Sequence, residues 1–374
     1  MIIDNNQRKI VLVCILCFFV CINLTGIQRS HVALQPDTVA WRSTLYPETW
    51  QPGYADSLGR FLHDFSYAGY HQGEKDIPYM NSGIVDVTKP PYNADNTGQS
   101  DVTSIIQRAL DSVGQAGGGV VYLPEGTYKI NPGDNSYALR IHYDSTILRG
   151  DGPGKTFIYN DATYMRFKNL IMIQGQDCEW GTTTGFQSKI RHDLLHPVCI
   201  LPMESVTGFD EGDDIIVRTD GTEEFIAEHK MAGIWTSWAA KVLFMRTIDS
   251  IDRVNNLLYI DSPTRYFMKK RDNARVYQAK SHLSECGVEN LSIGNLENPK
   301  SGWDEETYRT SGTGAYEVHF SHVIELRNCE NSWVKNVHTY KPSQNATDVH
   351  VLSNGLILNQ CRNITVDSCF FEKP

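Results

Sequence analysis

Val323-Ile-Glu-Leu-Arg-Asn-Cys-Glu-Asn331 can be laid over Gly355-Leu-Ile-Leu-Asn-Gln-Cys-Arg-Asn363 at an offset of 32 residues. Ile324 then falls on Leu356, Leu326 on Leu358, Cys329 on Cys361, Asn331 on Asn363 and, further on, Val334 on Val366. Apolar positions recur at every second residue, the period of a strand with one buried face; a tight Cys-x-Asn turn and a second short strand follow. A unit of this length cannot bury its apolar face alone. Successive copies must stack, and equivalent side chains then form ladders along the axis. The pattern predicts an all-β chain built as a parallel β-helix. A looser copy, Ser281-His-Leu-Ser-Glu-Cys286 followed by Val288 to Ile293, has a longer turn.

Gly294 to Ser321, rich in Gly, Asn, Pro, Ser and charge, reads as a long loop between this copy and the next, and about Lys341 to Asn354 is its shorter counterpart. Both lead directly into repeat strands, so they are expected side by side over one face. Arg309, Tyr316, Glu317, His319 and His322 end the first loop; Lys341, Asp348 and His350 lie in the second. Stacked strands are about 4.8 Å apart, so His319 and His350 are expected to reach a common groove. A single loop histidine is ordinarily a solvated polar group. Several histidines with two cations on neighbouring connections point instead to chemistry, and Arg309, Lys341, His319, His350 and Tyr316 are the candidate catalytic residues.

Such a set suits a lyase on a uronate polysaccharide, which must neutralise the sugar carboxylate and remove the adjacent proton with a base. A glycosidase would need two carboxylates, about 5 Å apart for retention or about 6.5–9.5 Å for inversion. Asp304, Glu305, Glu306, Glu317 and Asp348 leave that alternative open, as does a non-catalytic glycan-binding solenoid.

Arg8 and Lys9 precede an unbroken apolar run of 13 residues, Ile10 to Ile22, long enough for a signal-peptide core and short for a membrane span. Residues 1–26 are therefore expected to be a secretory signal cleaved near Gly26, with an uncleaved anchor as the alternative, and the mature chain is expected to be secreted or periplasmic. Removing Asp4, Arg8 and Lys9 moves the formal charge from -10 to about -11. Without a basic stripe, nucleic acid is not an expected partner. The expected partner is a polysaccharide, and the expected state a monomer. Six cysteines follow the apolar run; Cys329 and Cys361 read as stacked buried side chains, and Cys178 with Cys199 as the pair best placed for a bridge. No Cys-x-x-Cys spacing suggests zinc.

Ahead of the repeats, Ile105, Ile106, Ala109, Leu110 and Val113 mark one face of a helix that Gly117-Gly-Gly119 stops; Val120 to Pro124 and Thr127 to Ile130 follow as strands. An amphipathic helix there would cover the open end of the solenoid and its strand edges. Tyr92 to Ile130, with Gly98, Asp101, this helix and Gly-Gly-Gly-Val-Val-Tyr-Leu-Pro-Glu-Gly-Thr-Tyr, resembles the N-terminal motif of the pectate-lyase superfamily of right-handed parallel β-helices. Ile147 to Thr156 is similar to a Gly-x-Gly-x-x-x-Thr turn of the same proteins. Asn93 and Asn96 depart from the commoner Gly and Asp. The resemblance implies the fold but not one activity, since the superfamily includes lyases, hydrolases, epimerases and tailspikes.

The domain reading is residues 27–84 as an N-terminal extended segment and 85–374 as the β-helix, with a β-rich insertion at about 205–280. Cys369 to Pro374 stops partway through a coil, so further coils are expected beyond it. Gly150 to Thr156 lacks the first glycine of a phosphate loop, Arg149 standing in its place. Asp210-Glu-Gly-Asp-Asp214 makes Ca2+ the candidate cofactor, with a charged turn before a strand as the favoured reading. Trp235, Trp238, Phe244 and Tyr266 are expected to form the core of the insertion rather than a wall for sugar rings. Asp64 to Lys75 reads as a segment draped along the solenoid.

Overall fold

In the computed structural model, which describes residues 42–51, 54–57, 60–62, 65–175, 185–238, 240–280 and 282–374, the alternating segments are strands stacked in parallel. The chain runs from β1 (Ile84–Asp86) and β2 (Thr97–Asp101) through helix α1 (Thr103–Gln115) into β3 (Gly119–Leu123), β4 (Gly126–Ile130) and β5 (Tyr137–Ile141). A second circuit follows as β6 (Thr146–Gly150), β7 (Thr156–Asn160) and β8 (Asn169–Ile173).

The chain then leaves the coils for β9 (Gln187–Lys189), β10 (Ile200–Pro202), β11 (Asp214–Arg218), helix α2 (Glu223–Glu228), β12 (Leu243–Asp252), β13 (Leu257–Ile260) and β14 (Arg275–Gln278). It rejoins them with β15 (Leu283–Ser284), β16 (Gly287–Asn295), helix α3 (Gly314–Val318), β17 (His322–Arg327), β18 (Cys329–Thr339), β19 (Asn354–Asn359) and β20 (Arg362–Asp367).

The 32-residue register holds: Ile324 pairs with Leu356, Leu326 with Leu358 and Val334 with Val366. Cys329 Sγ lies 3.5 Å from Cys361 Sγ. One ladder, Val85, Val121, Leu148, Val288, Val334 and Val366, crosses the whole stack; another joins Leu139, Ile171, Ile324 and Leu356. Apart from the outermost Val366, their side chains build one apolar core, into which α1 adds Ile106, Ala109, Leu110 and Val113.

At the corners, Asn290 and Asn336 adopt left-handed backbone (φ 58° and 53°), and the Asn336 amide donates to Asn290 Oδ1 at 2.8 Å. Asparagine tolerates this conformation because its short polar side chain bonds locally. It lets β16 pair with β6 before the corner and with β7 after it.

Three expectations need correction. The Cys-x-Asn segment is not the turn: Asn328 (φ 49°) already turns the chain before Cys329, and Asn331 (φ 43°) is a left-handed kink inside β18. Leu358 and Val366 keep their register but are 47% and 44% exposed, because β19 and β20 each pair on one side only. The insertion begins before residue 205, since β9 closes its six-stranded antiparallel sheet, ordered β10-β13-β12-β11-β14-β9. That sheet has its own core around Met203, Phe209, Ile215, Val217 and Val276.

Trp235 and Trp238 are not in that core; they are 39% and 79% exposed. A charged brace ties the insertion to the coils. His282 Nδ1 lies 3.0 Å from Asp214 and its Nε2 2.9 Å from Glu330. Arg362 reaches Glu330, Asp261 (2.8 Å) and the Thr247 hydroxyl (2.8 Å). The segment expected to drape does so at Tyr70, whose ring is buried with Val120, Ile147 and Trp333 and whose amide donates to Thr365 Oγ1 at 2.8 Å.

The chain divides into two units, residues 1–62 and 63–374. The first holds the Arg60–Asp56 ion pair (2.7 Å) and an antiparallel bridge from Ala55 to Phe61. Among the described residues no helix is long and apolar enough to cross a membrane. The signal and the Cys178–Cys199 pairing involve residues outside those described.

Candidate functional site

Alternation along β17 sends Ile324 and Leu326 into the core and Glu325 and Arg327 to the opposite face. There Arg327 Nη2 lies 2.6 Å from Glu325 Oε1, and Asn169 of β8 donates its side-chain amide to Glu325 Oε2 at 2.7 Å. With that NH2 committed, the Asn169 oxygen faces His322 Nδ1 at 2.9 Å. Nδ1 must therefore be the donor, and the Nε2 lone pair is left as the basic site. Burial holds the His322 pKa below its ordinary value, which favours the neutral imidazole. The Phe320 ring meets it edge-on at 4.8 Å.

The end of the first loop is bonded to the segment ahead of β8, the Met165 and Phe167 amides donating to the Glu317 (2.9 Å) and His319 (3.0 Å) carbonyls. The Thr313 hydroxyl caps α3 by accepting from the Tyr316 amide at 3.2 Å. Arg166 lies over the Tyr316 ring, 3.8 Å from its centre, and over Phe167 at 4.7 Å. Its Nη1 donates to the backbone carbonyls of Tyr316 (2.8 Å) and Tyr308 (3.2 Å), which fixes the guanidinium. His319 packs against Tyr308 (4.8 Å) and Phe167 (5.7 Å), and burial together with Arg166 lowers its pKa. Arg309 is exposed and donates from Nε to Tyr308 Oη at 2.6 Å. Phe167 and Phe320 are large apolar rings open to solvent.

The structure thus brings Tyr316 and His319 to Arg166, with Arg309 joined to them through Tyr308. It does not add His350 and Lys341 by contact. The second loop does lie against the first, since Glu297 accepts from the Ala346 (2.7 Å) and Thr347 (3.0 Å) amides. His350, however, is pinned through its backbone between Asn295 and Lys373, and its Nε2 faces Asp348 at 3.5 Å. Lys341 is exposed near Glu297. Among the described residues no hydrogen bond, ion pair or ring contact joins either to the His319 group. The His319 ring packs on Phe167, while the His350 ring faces Asp348.

Two of the carboxylate groups singled out by the sequence are engaged. Glu317 is held by Lys300 and Asn298, and the Lys300 ammonium keeps its pKa below the usual range. In the 210–214 cluster, Asp213 Oδ2 accepts from the Asp210 amide (2.9 Å) and from Gln278 (2.9 Å), while Asp214 faces His282. It is a charged turn before β11, and among the described residues no three metal-ligating side chains come together.

Sequence reasoning missed Arg166, Phe167, Tyr308 and Phe320, which share no spacing with the repeat. Glu325 and Arg327 carried a signal, as the polar residues alternating with Ile324 and Leu326.

Residues 85–198 match the family described as rhamnogalacturonase A/epimerase, pectate lyase-like. A capsule K1-specific depolymerase of Klebsiella phage K64-1 is 21% identical over 214 residues, 57% of this chain and 21% of that protein. A mannuronan C5-epimerase of Azotobacter vinelandii is 42% identical over 88 residues, 21% of this chain and 6% of its own. Alginate lyase 7 of the same organism is 40% identical over 68 residues, 18% of this chain and 8% of its own. The chain therefore spans at most 21% of the length of these relatives. Among solved structures, the tailspike gp61 of Pseudomonas phage phi297 aligns with a TM-score of 0.44 and 10% identity, over 78% of this chain and 49% of that one. Residues 85–198, from β1 into β9, are thus similar to a pectate-lyase-like family, and the parallel ladders that begin there continue to β20.

Proposed function

We propose that this chain is an exported, polysaccharide-active enzyme that cleaves an acidic, uronate-containing polymer by β-elimination on the loop-covered face of β17. The coils are right-handed in this reading, the hand that parallel crossovers overwhelmingly take, and α1 covers the start of the stack. Residues 1–26 are removed on export, which N-terminal sequencing of the exported protein checks. The names of the relatives support a polysaccharide substrate, since they include a capsule depolymerase, an alginate lyase and an epimerase.

One observation carries the reaction: His319 packs on the exposed Phe167 ring, over which the fixed guanidinium of Arg166 also lies, and burial with that charge lowers its pKa. Sugar faces stack on such rings. Arg309 and Arg166 pair the uronate carboxylate, which lowers the energy of the carbanion formed when the His319 imidazole removes the proton on the carbon next to that carboxylate. The electron pair left behind forms the new carbon–carbon double bond as the glycosidic C–O bond breaks. The departing oxygen takes a proton from the Tyr316 hydroxyl, which regains one from solvent. Lys341 and His350 serve the sugar next along the polymer.

A glycosidase needs an acid with a raised pKa; the opposite shift of Glu317 argues against that residue as the acid. The test is to incubate the protein with uronate polysaccharides and follow the ultraviolet absorbance of unsaturated ends. Loss of His319 should lower kcat by about 10²–10⁴, whereas Arg309→Ala should also raise KM. Reducing ends without unsaturation would replace this reading by hydrolysis; binding without turnover would replace it by a glycan-binding role.

A further inference from the structure

The insertion contains an aromatic cleft that no step above uses. It is a cavity of about 450 Å³ whose walls include His229, Trp235, Lys241, Phe244, Arg265 and Tyr266, within the roughly 300–1,000 Å³ typical of small-ligand sites. The His229 ring is the centre of its wall. It stacks on Tyr266 (5.6 Å, 23° between planes) and lies beside Trp235 (5.6 Å, 34°) and Phe225 (4.3 Å, 31°).

Both of its nitrogens are committed. Nδ1 donates to the Phe225 carbonyl at 2.7 Å, which leaves Nε2 to accept from the Tyr266 hydroxyl. The wall is therefore fixed before any ligand arrives, and its central histidine has no lone pair free for proton transfer.

The rim is cationic. Lys241 and Arg265 line the cavity, and among the described residues no carboxylate does. The nearby Glu228 is occupied by Lys269 and Arg271. Beyond the rim, Trp238 is one of the most exposed apolar side chains described, and the Lys241 ammonium lies 5.5 Å from the centre of its ring. Flat rings with cations at their edge match a pyranose that bears a carboxylate: its C–H face stacks and its anion pairs. A neutral apolar ligand would bury the Lys241 ammonium without a counter-charge.

We propose that this cleft is a second, non-catalytic site that holds an anionic sugar residue of the polymer. The inference rests on the reading of the chain as acting on an acidic polysaccharide. The experiment is calorimetric titration of the full chain with a hexuronate and with a neutral hexasaccharide, in the Arg309→Ala background so that the reaction site is weakened. Thermal unfolding of each variant verifies folding, and Lys241→Gln and Trp238→Ala change exposed or half-exposed side chains should Trp235→Ala prove unstable.

Hexuronate binding should weaken at least tenfold in Trp235→Ala and Lys241→Gln, while the same changes in the otherwise native protein leave kcat on a trisaccharide unaltered and raise KM on the polymer. Isotherms of folded variants that superpose on the parent, or equally tight binding of the neutral sugar, overturn the proposal. If no uronate yields product but Trp235→Ala still weakens hexuronate binding, the cleft stands and the lyase reading falls. Full turnover with unchanged binding has the reverse meaning.

Discussion

His319 and His322 are both held below the ordinary histidine pKa, but by different neighbours. Burial acts on both, whereas the Arg166 charge acts on His319. The difference is testable. Arg166→Gln removes a positive charge beside His319, so its imidazolium becomes easier to form and its pKa should rise toward the ordinary value. A base must be neutral to act, so the acid limb of the kcat/KM profile should move to higher pH, and an NMR titration of His319 should move with it. An unmoved limb would assign the base elsewhere, with His322 Nε2 the next candidate. At this scale the sequence was partly readable. Arg309, Tyr316 and His319 are legible as polar residues of one loop, yet Arg166, which packs on Tyr316, follows β7 and meets that loop only because β8 stacks beside β17.

Period-two alternation survives translation into strands, and that is why the coils were legible from two copies of one segment. What the alternation could not tell was how many neighbours each strand has. An Asp at Leu358 would be half-solvated, whereas Leu326 is fully buried between β8 and β19. Leu326→Asp should therefore cost several kcal/mol, of the order of a typical whole stability of about 5–15 kcal/mol, and Leu358→Asp far less; urea midpoints of the two variants give the comparison. Gly287 makes a sharper point. A Cβ there would lie 2.4 Å from the Trp333 indole, which is fully buried and donates to Glu289 at 2.8 Å. Gly287→Ala should destabilise by about 1–3 kcal/mol through overpacking, seen as a lower thermal midpoint with quenched or shifted Trp333 emission. The insertion lacked such legibility because antiparallel strands of three to ten residues, joined by irregular loops, share no period with the coils.

Across the whole 63–374 unit, the insertion is fastened to the coils by charges drawn from distant positions: Asp214 and Asp261 on one side, His282, Glu330 and Arg362 on the other. No local pattern announces such a brace. Its pH dependence follows from the pairing. Burial opposes the charged form of His282, but Asp214 and Glu330 outweigh it and raise the pKa to about 9. A raised histidine pKa contributes stability that is complete below the unfolded value of about 6.5 and is lost as pH climbs through the folded value. Burial also opposes the charged forms of Asp214 and Glu330, yet His282 and Arg362 depress both pKa values. Their contribution is present above the unfolded carboxylate pKa values and lost as pH falls through the folded ones. Stability should therefore peak between the carboxylate range and about pH 6.5, then decline toward alkaline pH by on the order of 3 kcal/mol from His282. Measured by urea unfolding across pH, His282→Gln should flatten that alkaline decline as well as lower the maximum. A variant that lowers stability equally at every pH would show that His282 packs the junction without charging it.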